Sequence, residues 1–195
     1  MHTEFEQYLK SQANLDEDAI KAVICMATHR SLAKNGLLLQ SGEICRHKVF
    51  ILNGMLRSSV ITANGSEHIL QFSPENTWTL DVESYDKEIP SAVNICAVEP
   101  TEVLLWKKAD FQNLLSEIPG LKNFSQQLIS RNIYYSRQRI ATVLGGTPEE
   151  KYDDFIRTFP GLMMRLPLRM IASYLGMSLK TLTRIRHAQL HREAK

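Results

Sequence analysis

Hydrophobic positions follow two different periods along this chain of 195 residues. From Thr3 to about Met26 they recur at helical spacing, which predicts two short helices, the second introduced by Asn14 or Asp16. Beyond Lys108 helical spacing returns. Between Gly36 and Lys107 the apolar residues form short runs separated by turn residues, which predicts six or more strands: LLLQSG, VFILNG, MLRSSVIT, HILQF, VNICAV and EVLLWK. Strands of this number and spacing favour a β-barrel or sandwich of about 80 residues flanked by helices.

Two Asn-Gly dipeptides mark turns inside the predicted β region. Asn53-Gly54 and Asn64-Gly65 each tolerate positive φ at both central positions of a two-residue loop. We therefore expect a β-hairpin at each of them.

The longest helical pattern runs from Gly120 to Leu144 and follows a short helix that ends at Pro119. Gly145-Gly146 stops it. At 1.5 Å per residue it would extend for roughly 35 Å, more than one small barrel covers, and a helix with excess apolar surface commonly pairs with a copy of itself. The predicted dimer contacts are Leu121, Phe124, Leu128 and Tyr135, with Ile129, Ile133, Ile140 and Leu144 on or beside the same stripe. Packing of this stripe within a single chain remains the alternative.

A new helix is predicted to begin at Thr147-Pro148-Glu149-Glu150, which combines an N-cap threonine, a proline at the first helical position and a capping-box glutamate. Its buried face is predicted to comprise Tyr152, Phe155, Ile156 and Phe159. Pro160-Gly161 ends it.

The segment from Leu168 to Ala188 predicts two short helices joined by a tight turn at Gly176. A helix-turn-helix needs a small residue where the helices cross and apolar residues where the second helix packs down. Ala172 meets the first requirement, and Leu182 and Ile185 meet the second. Ser178 is a suitable N-cap for the second helix.

The second helix carries side chains that suit contact with DNA, because donors are needed for bases and phosphates. The predicted DNA-binding residues are Ser178, Leu179, Lys180, Thr181, Thr183, Arg184, Arg186 and His187. An ordinary helical hairpin with a solvated basic face is the alternative, and it satisfies fewer of these observations together.

Charge supports the DNA-binding interpretation. From Arg165 to Lys195 there are seven basic residues and one acid, Glu193, a balance of +6. The whole chain carries +2, so the preceding residues carry −4. The basic end is therefore the expected contact with a polyanion.

Several classes of function find no support in the sequence. Cys25, Cys45 and Cys96 lack the spacing of a zinc site or an iron–sulfur cluster, and no His-x-His pair suggests a cupin-type metal enzyme. We predict no catalytic residues, no metal and no certain cofactor. With no apolar run of bilayer length and no signal-peptide core, we expect a cytoplasmic protein without a membrane partner.

The order of these elements resembles the Crp/Fnr family of bacterial transcription regulators, most specifically in IASYLGMSLKTLTRIR, Ile171–Arg186, with support from GEICRHKVFILNGML, Gly42–Leu56. The resemblance implies an α+β fold with an N-terminal antiparallel β-roll or jelly-roll barrel and flanking helices. It also implies residues 1–118 as a cyclic-nucleotide-binding-like domain, 119–146 as a dimerisation helix and 147–195 as a DNA-binding domain. A homodimer would bind double-stranded DNA at a two-fold symmetric operator. RNA polymerase is left open as a further partner.

The resemblance also identifies the region of an effector pocket. The family holds the ribose of a cyclic nucleotide with a Gly-Glu pair and the phosphate with an Arg-Ser or Arg-Thr pair. Here TWTLDVES matches the first region and IPSAVNI the second, so Asp81 could replace the glutamate and Ser91 the hydroxyl, whereas Pro90 stands at the arginine position. A buried phosphate without a cation is poorly compensated, so cyclic AMP is not expected to bind tightly. Trp78, Asp81 and Ser91 either line a pocket for another small molecule or pack at a vestigial site.

The recognition helix departs from the best-known members of the family. Their Arg-Glu pair becomes Leu179-Lys180, while Arg184 matches their arginine one turn later. We therefore expect a different operator. The rival function is a ligand-sensing barrel that signals through protein contacts, which would show no salt-sensitive DNA affinity.

Overall fold

A computed structural model describes the backbone of residues 3–193 and the side chains of residues 3–189. The N-terminal segment forms α1 (Thr3–Tyr8), a π-helical turn (Leu9–Ala13) and α2 (Glu17–Cys25). Asp16 caps α2, because its carboxylate accepts the N–H of Ala19 at 2.8 Å. This confirms one of the two predicted helix starts.

Eight strands follow, with one short helix between them. The bounds are β1 (Thr28–Leu32), β2 (Leu37–Leu39), β3 (His47–Asn53), β4 (Met55–Ile61), β5 (Glu67–Pro74), β6 (Trp78–Thr79), α3 (Val82–Lys87), β7 (Asn94–Ala97) and β8 (Thr101–Lys107). The six predicted strands are all present. Strands β1 and β6 and helix α3 were not predicted, because they are short and carry little periodic apolar signal.

The strands form two four-stranded sheets in the orders β1-β8-β3-β6 and β2-β7-β4-β5. Strands β3 and β8 pair antiparallel, with Val49 opposite Leu105 and Ile51 opposite Val103. Side chains alternate along this pair. Val103 and Leu105 enter a core between the two sheets, whereas Leu104 and Trp106 enter a second core beneath the helices.

The helix-side core is rich in aromatic rings. Phe5, Phe50, Trp78, Trp106 and Phe111 pack with ring centroids 4.6–6.2 Å apart. The indole N–H of Trp106 donates to the carbonyl of Val23 at 2.7 Å, which ties α2 to β8.

The hairpin prediction is confirmed at Asn64-Gly65 and wrong at Asn53-Gly54. Gly65 lies at the turn between the adjacent strands β4 and β5. Gly54, in contrast, lies where the chain leaves the sheet of β3 and enters the sheet of β4. The same dipeptide therefore serves as a crossing between sheets, in which Gly54 adopts positive φ.

The C-terminal part contains α4 (Lys108–Glu117), α5 (Pro119–Gly145), α6 (Pro148–Thr158), a 3₁₀ turn (Leu162–Met164), α7 (Leu168–Leu175) and α8 (Leu179–Glu193). Thr147 and Glu150 form the predicted capping box of α6. Tyr152 and Phe155 are buried and Phe159 is half-buried, but Ile156 is exposed, so its predicted burial is wrong. Ile156 lies off the narrow face that α6 turns toward its neighbours.

Contacts divide the chain into two compact units. One contains the residues up to Val60 together with Leu70–Ile129, and the other contains Ile61–Ile69 and the residues from Ser130 onward. The α+β fold class is confirmed. No helix within residues 3–193 is long and apolar enough to cross a membrane.

Candidate nucleic-acid interface

Helices α7 and α8 meet at the turn predicted from the sequence. Gly176 adopts φ +65°, and the N–H of Met177 donates to the carbonyl of Ala172 at 3.0 Å, which closes the end of α7. Ala172, Leu182 and Ile185 are all buried. The three residues that a helix-turn-helix needs at its helix crossing are therefore buried in the structure.

The hydroxyl groups at the start of α8 are occupied by bonds within the helix. Ser178 Oγ accepts the N–H of Thr181 at 3.1 Å and lies 2.8 Å from Thr181 Oγ1. Thr183 Oγ1 donates to the carbonyl of Leu179 at 2.9 Å. These three hydroxyls stabilise the helix end: Thr183 donates its proton within the helix, and one proton of the Ser178–Thr181 pair is shared between the two oxygens.

The remaining predicted contact residues lie on the solvent side of α8. Leu179, Lys180, Arg184, Arg186 and His187 are all exposed. Arg184 forms an exposed ion pair with Glu149 at the start of α6, at 3.2 Å. Such a pair contributes about 0–1 kcal/mol, so a phosphate or a guanine can replace Glu149 as the partner of Arg184.

The tip of the β4–β5 hairpin belongs to the same compact unit as α7 and α8. Ser173 Oγ donates to the carbonyl of Glu67 at 2.6 Å and accepts the N–H of Ile69 at 3.1 Å. Arg139 Nη2 donates to the carbonyls of Ile69 at 3.1 Å and Tyr174 at 2.9 Å, and its guanidinium lies 4.0 Å from the centroid of the Tyr174 ring. Ser173 thus forms hydrogen bonds with backbone groups of β5, at the edge of its sheet, where a neighbouring strand would otherwise bond.

Sequence reasoning missed both Arg139 and Ser173. Their hydrogen-bond partners on the hairpin lie 70 and 106 residues away along the chain. No local pattern carries that information.

The first half of α5 packs within its own chain. Leu121 and Phe124 are buried in the helix-side core, and Leu128 packs partly against it, so the prediction that Leu121 and Phe124 form the dimer contact is wrong. They lie on the face of α5 that packs against the unit made of the residues up to Val60 and Leu70–Ile129, which we call the β domain. Tyr135 is 58% exposed and stays a prediction.

A second apolar face of α5 is exposed. Its members are Ile129, Ile133, Ile140 and Leu144, and we call this set the isoleucine seam. Spacings of four, seven and four residues place all four on one side of a helix, roughly opposite Phe124 and Tyr135. From the sequence pattern, the residues of both faces had been assigned to a single apolar stripe.

Comparisons with known proteins agree with this architecture. Residues 29–117 match the cyclic nucleotide-binding domain family. The transcriptional regulatory protein Btr of Bordetella pertussis is 26% identical over 144 residues, which cover 68% of this chain and 58% of the length of that relative.

Solved structures extend the likeness over both units. The c-di-GMP-responsive global regulator CLP of Xanthomonas campestris matches with a TM-score of 0.76 at 9% identity, over 91% of this chain and 93% of that one. A chain from Eubacterium rectale assigned to the Crp/Fnr family matches with a TM-score of 0.70 at 15% identity, over 95% and 88%. The matched family model covers residues 29–117, and the likeness to these solved structures shows a shared fold over both units.

The three predicted effector residues lie in two different places in the structure. Ser91 Oγ donates to Asp81 Oδ2 at 2.6 Å, so Asp81 and Ser91 are brought together as expected. Trp78 lies in the aromatic core beneath the helices. Pro90, which the resemblance predicted to stand in place of a phosphate-binding arginine, is exposed.

The turn that contains Ser41, Gly42 and Glu43 covers Ser91. The N–H of Gly42 donates to the carbonyl of Ser91, and the N–H of Ser91 donates to the carbonyl of Glu43, both at 2.8 Å. Ser41 N–H donates to Asn94 Oδ1 at 2.8 Å. The polar groups at this end of the β domain are therefore engaged with one another.

Lys48 on β3 is a cation of the β domain whose pKa is strongly lowered. Its ammonium lies 5.8 Å from the ring centroids of both Trp78 and Phe111. Burial lowers the pKa of Lys48 from 10.5 to about 8, against an opposing effect of Asp86.

We expect Lys48→Met to stabilise the protein at pH 7 by about 1–3 kcal/mol, because the folded state then no longer buries a charge. Below pH 8 Lys48 is protonated in both the folded and the unfolded wild type, so Lys48→Met gains its full stability there. Between pH 8 and 10.5 the unfolded wild type binds a proton that the folded wild type has lost, so wild-type stability rises and the advantage shrinks. Urea unfolding at pH 7 and pH 10 measures the difference in the free energy of unfolding between Lys48→Met and the wild type. Lys107→Met, at an exposed lysine on β8, is the control, and an advantage that does not change with pH would contradict the assignment.

Proposed function

We propose that this protein is a homodimeric, sequence-specific DNA-binding transcription regulator of the Crp/Fnr type. The observation that carries the proposal is the helix-turn-helix, in which Ala172, Leu182 and Ile185 are buried while Lys180 and Arg184 are exposed on α8. In this proposal residues 1–118 sense a signal, 119–146 contain the dimerisation helix and 147–195 bind DNA. The protein would act in the cytoplasm, with RNA polymerase as a further partner.

In this proposal α8 enters the major groove, where the N-terminal residues of a recognition helix contact base edges. Lys180 and Arg184 supply donors suited to guanine N7 and O6 or to phosphates. The isoleucine seam pairs with the seam of a second copy and places two α8 helices on successive turns of the duplex. The operator would then be a two-fold symmetric sequence with half-sites about 34 Å apart.

We also propose that a small molecule other than cyclic AMP controls the protein through the β domain. Pro90 provides no charge for a cyclic phosphate, and Ser91 already bonds to Asp81 and to the turn above it. Titration calorimetry with cyclic AMP tests this directly. Binding at micromolar concentration would overturn the exclusion of cyclic AMP.

Selection of bound sequences from random duplex DNA tests the main proposal. The full chain is used alone and with a small-molecule extract of cells. We expect enrichment of a palindrome, and affinity that falls steeply with added salt because phosphate contacts release counterions. If no sequence is enriched under either condition, the DNA-binding proposal fails and a protein partner of the β domain becomes the better hypothesis.

Arg184→Ala should weaken binding to the selected operator by about 1–3 kcal/mol and relax the preference at one base position, as expected for a direct base contact. Arg157→Ala is the matched control, since Arg157 on α6 also pairs with an acid, Asp154, at 2.5 Å but lies outside the recognition helix. Fluorescence anisotropy on the operator and on single-base variants measures both. Equal weakening on every sequence would make Arg184 a phosphate contact instead.

A further inference from the structure

Leu179 is a large hydrophobic side chain in an unusual place. It is the first residue of α8 and is 48% exposed, whereas Ile171, Leu175, Leu182 and Ile185 of the same two helices are buried. Burying a leucine stabilises a protein by about 1.5–3 kcal/mol, and Leu179 contributes little of this to the folded chain. Its position suits a contact made with another molecule.

Leu179 presents an apolar surface at the start of α8. Thr183 lies one turn later on the same side, and its hydroxyl is bonded to the carbonyl of Leu179 at 2.9 Å. The hydroxyls of Ser178 and Thr181 are bonded to each other. Lys180 and Arg184 supply charged hydrogen-bond donors at this end of α8, and Leu179 offers only apolar contact.

Leu179 also lies on the wall of an open cleft of about 400 Å³ that it shares with Glu67, His68 and Arg169. The cleft is open to solvent, so Leu179 can be reached from outside. The adjacent Lys180 and the nearby Arg169 are positive, which suits an anionic polymer carrying an apolar group.

The major-groove edges of the four bases differ in one apolar feature, the C5 methyl group of thymine. We propose that Leu179 is a specificity-determining residue that selects thymine in each half-site by contact with this methyl group. The inference rests on the proposed DNA-binding function and identifies thymine as the base that Leu179 contacts.

The test uses the full-length protein and the palindrome obtained by selection. Each thymine is replaced in turn, symmetrically in both half-sites, by deoxyuridine, which lacks only the C5 methyl group. We expect one position at which affinity falls about four-fold per half-site, equivalent to about 0.8 kcal/mol at 1.4 kcal/mol per factor of ten. Leu179→Ala should bind the thymine and uracil duplexes equally.

Lys180→Ala is the matched control, because it is the exposed neighbour of Leu179 on α8. It should weaken binding to both duplexes and leave their affinity ratio unchanged. The inference is overturned if wild-type protein tolerates deoxyuridine at every position, or if Leu179→Ala retains the full discrimination. Failure of the selection itself would instead refute the proposed function, so the two failures are distinguishable.

Discussion

Replacing Ile133 with glutamate is expected to convert the proposed dimer to a monomer and to weaken operator binding by a factor of about 10²–10⁴. Ile133 is 49% exposed in the single chain and lies in the middle of the isoleucine seam. In a symmetric helix pair, glutamate at this position places two carboxylates close together across the two-fold axis. The loss of affinity follows because each half-site must then be bound without a linked second contact.

Light scattering gives the mass, and fluorescence anisotropy gives the dissociation constant on the selected palindrome. Gln138→Glu is the matched control, since it adds the same charge to the same helix about 140° away from Ile133. We expect Gln138→Glu to remain dimeric. A dimeric mass for Ile133→Glu would exclude the seam as the interface and would direct attention to Tyr135.

Substitution of Gly54 by alanine is expected to destabilise the β domain by about 2–5 kcal/mol, the sum of a left-handed backbone and an overpacked contact. Gly54 has φ +86°, and a Cβ there would lie 2.4 Å from the carbonyl oxygen of Pro100 and 2.8 Å from Cα of Thr101. These are backbone atoms at the start of β8. They are held in place because Thr101 Oγ1 accepts the N–H of Met55 at 3.1 Å.

Gly65→Ala is the control for backbone conformation alone. Gly65 has φ +81°, but nothing lies within 4 Å of the position its Cβ would take. We expect it to lose about 1–2 kcal/mol, the cost of the left-handed conformation. The free energy of unfolding in urea measures both variants, and equal losses would show that the close approach at Pro100 has no energetic effect.

The C-terminal helices were predictable because their signals are local. Each signal is confined to a short stretch: the capping box joins Thr147 to Glu150, and the buried pair Leu182 and Ile185 follows the glycine turn at Gly176 within one helix. Steric limits on φ and the 3.6-residue period act at this range. The helix-turn-helix could therefore be identified without knowledge of anything distant in the chain.

The two faces of α5 could not be separated in the same way. Leu121 and Ile133 have similar side chains, and both fit an apolar helical pattern, yet Leu121 is buried in its own chain and Ile133 is exposed. The difference arises because α1, α2 and α4 cover one side of α5 near its start. Burial depends on what lies opposite, which the period of a helix does not specify.

By itself, the sequence determined the types and order of most helices and strands, the α+β class and the basic character of α8, since propensity, capping and charge are local properties. Only the tertiary structure decided that Asn53-Gly54 crosses between sheets, that the isoleucine seam is free, and that Ser173 and Arg139 bond to the hairpin tip. These features depend on contacts between residues far apart in the chain. Pairing of that kind is selected by the packing of the whole domain and leaves no periodic trace.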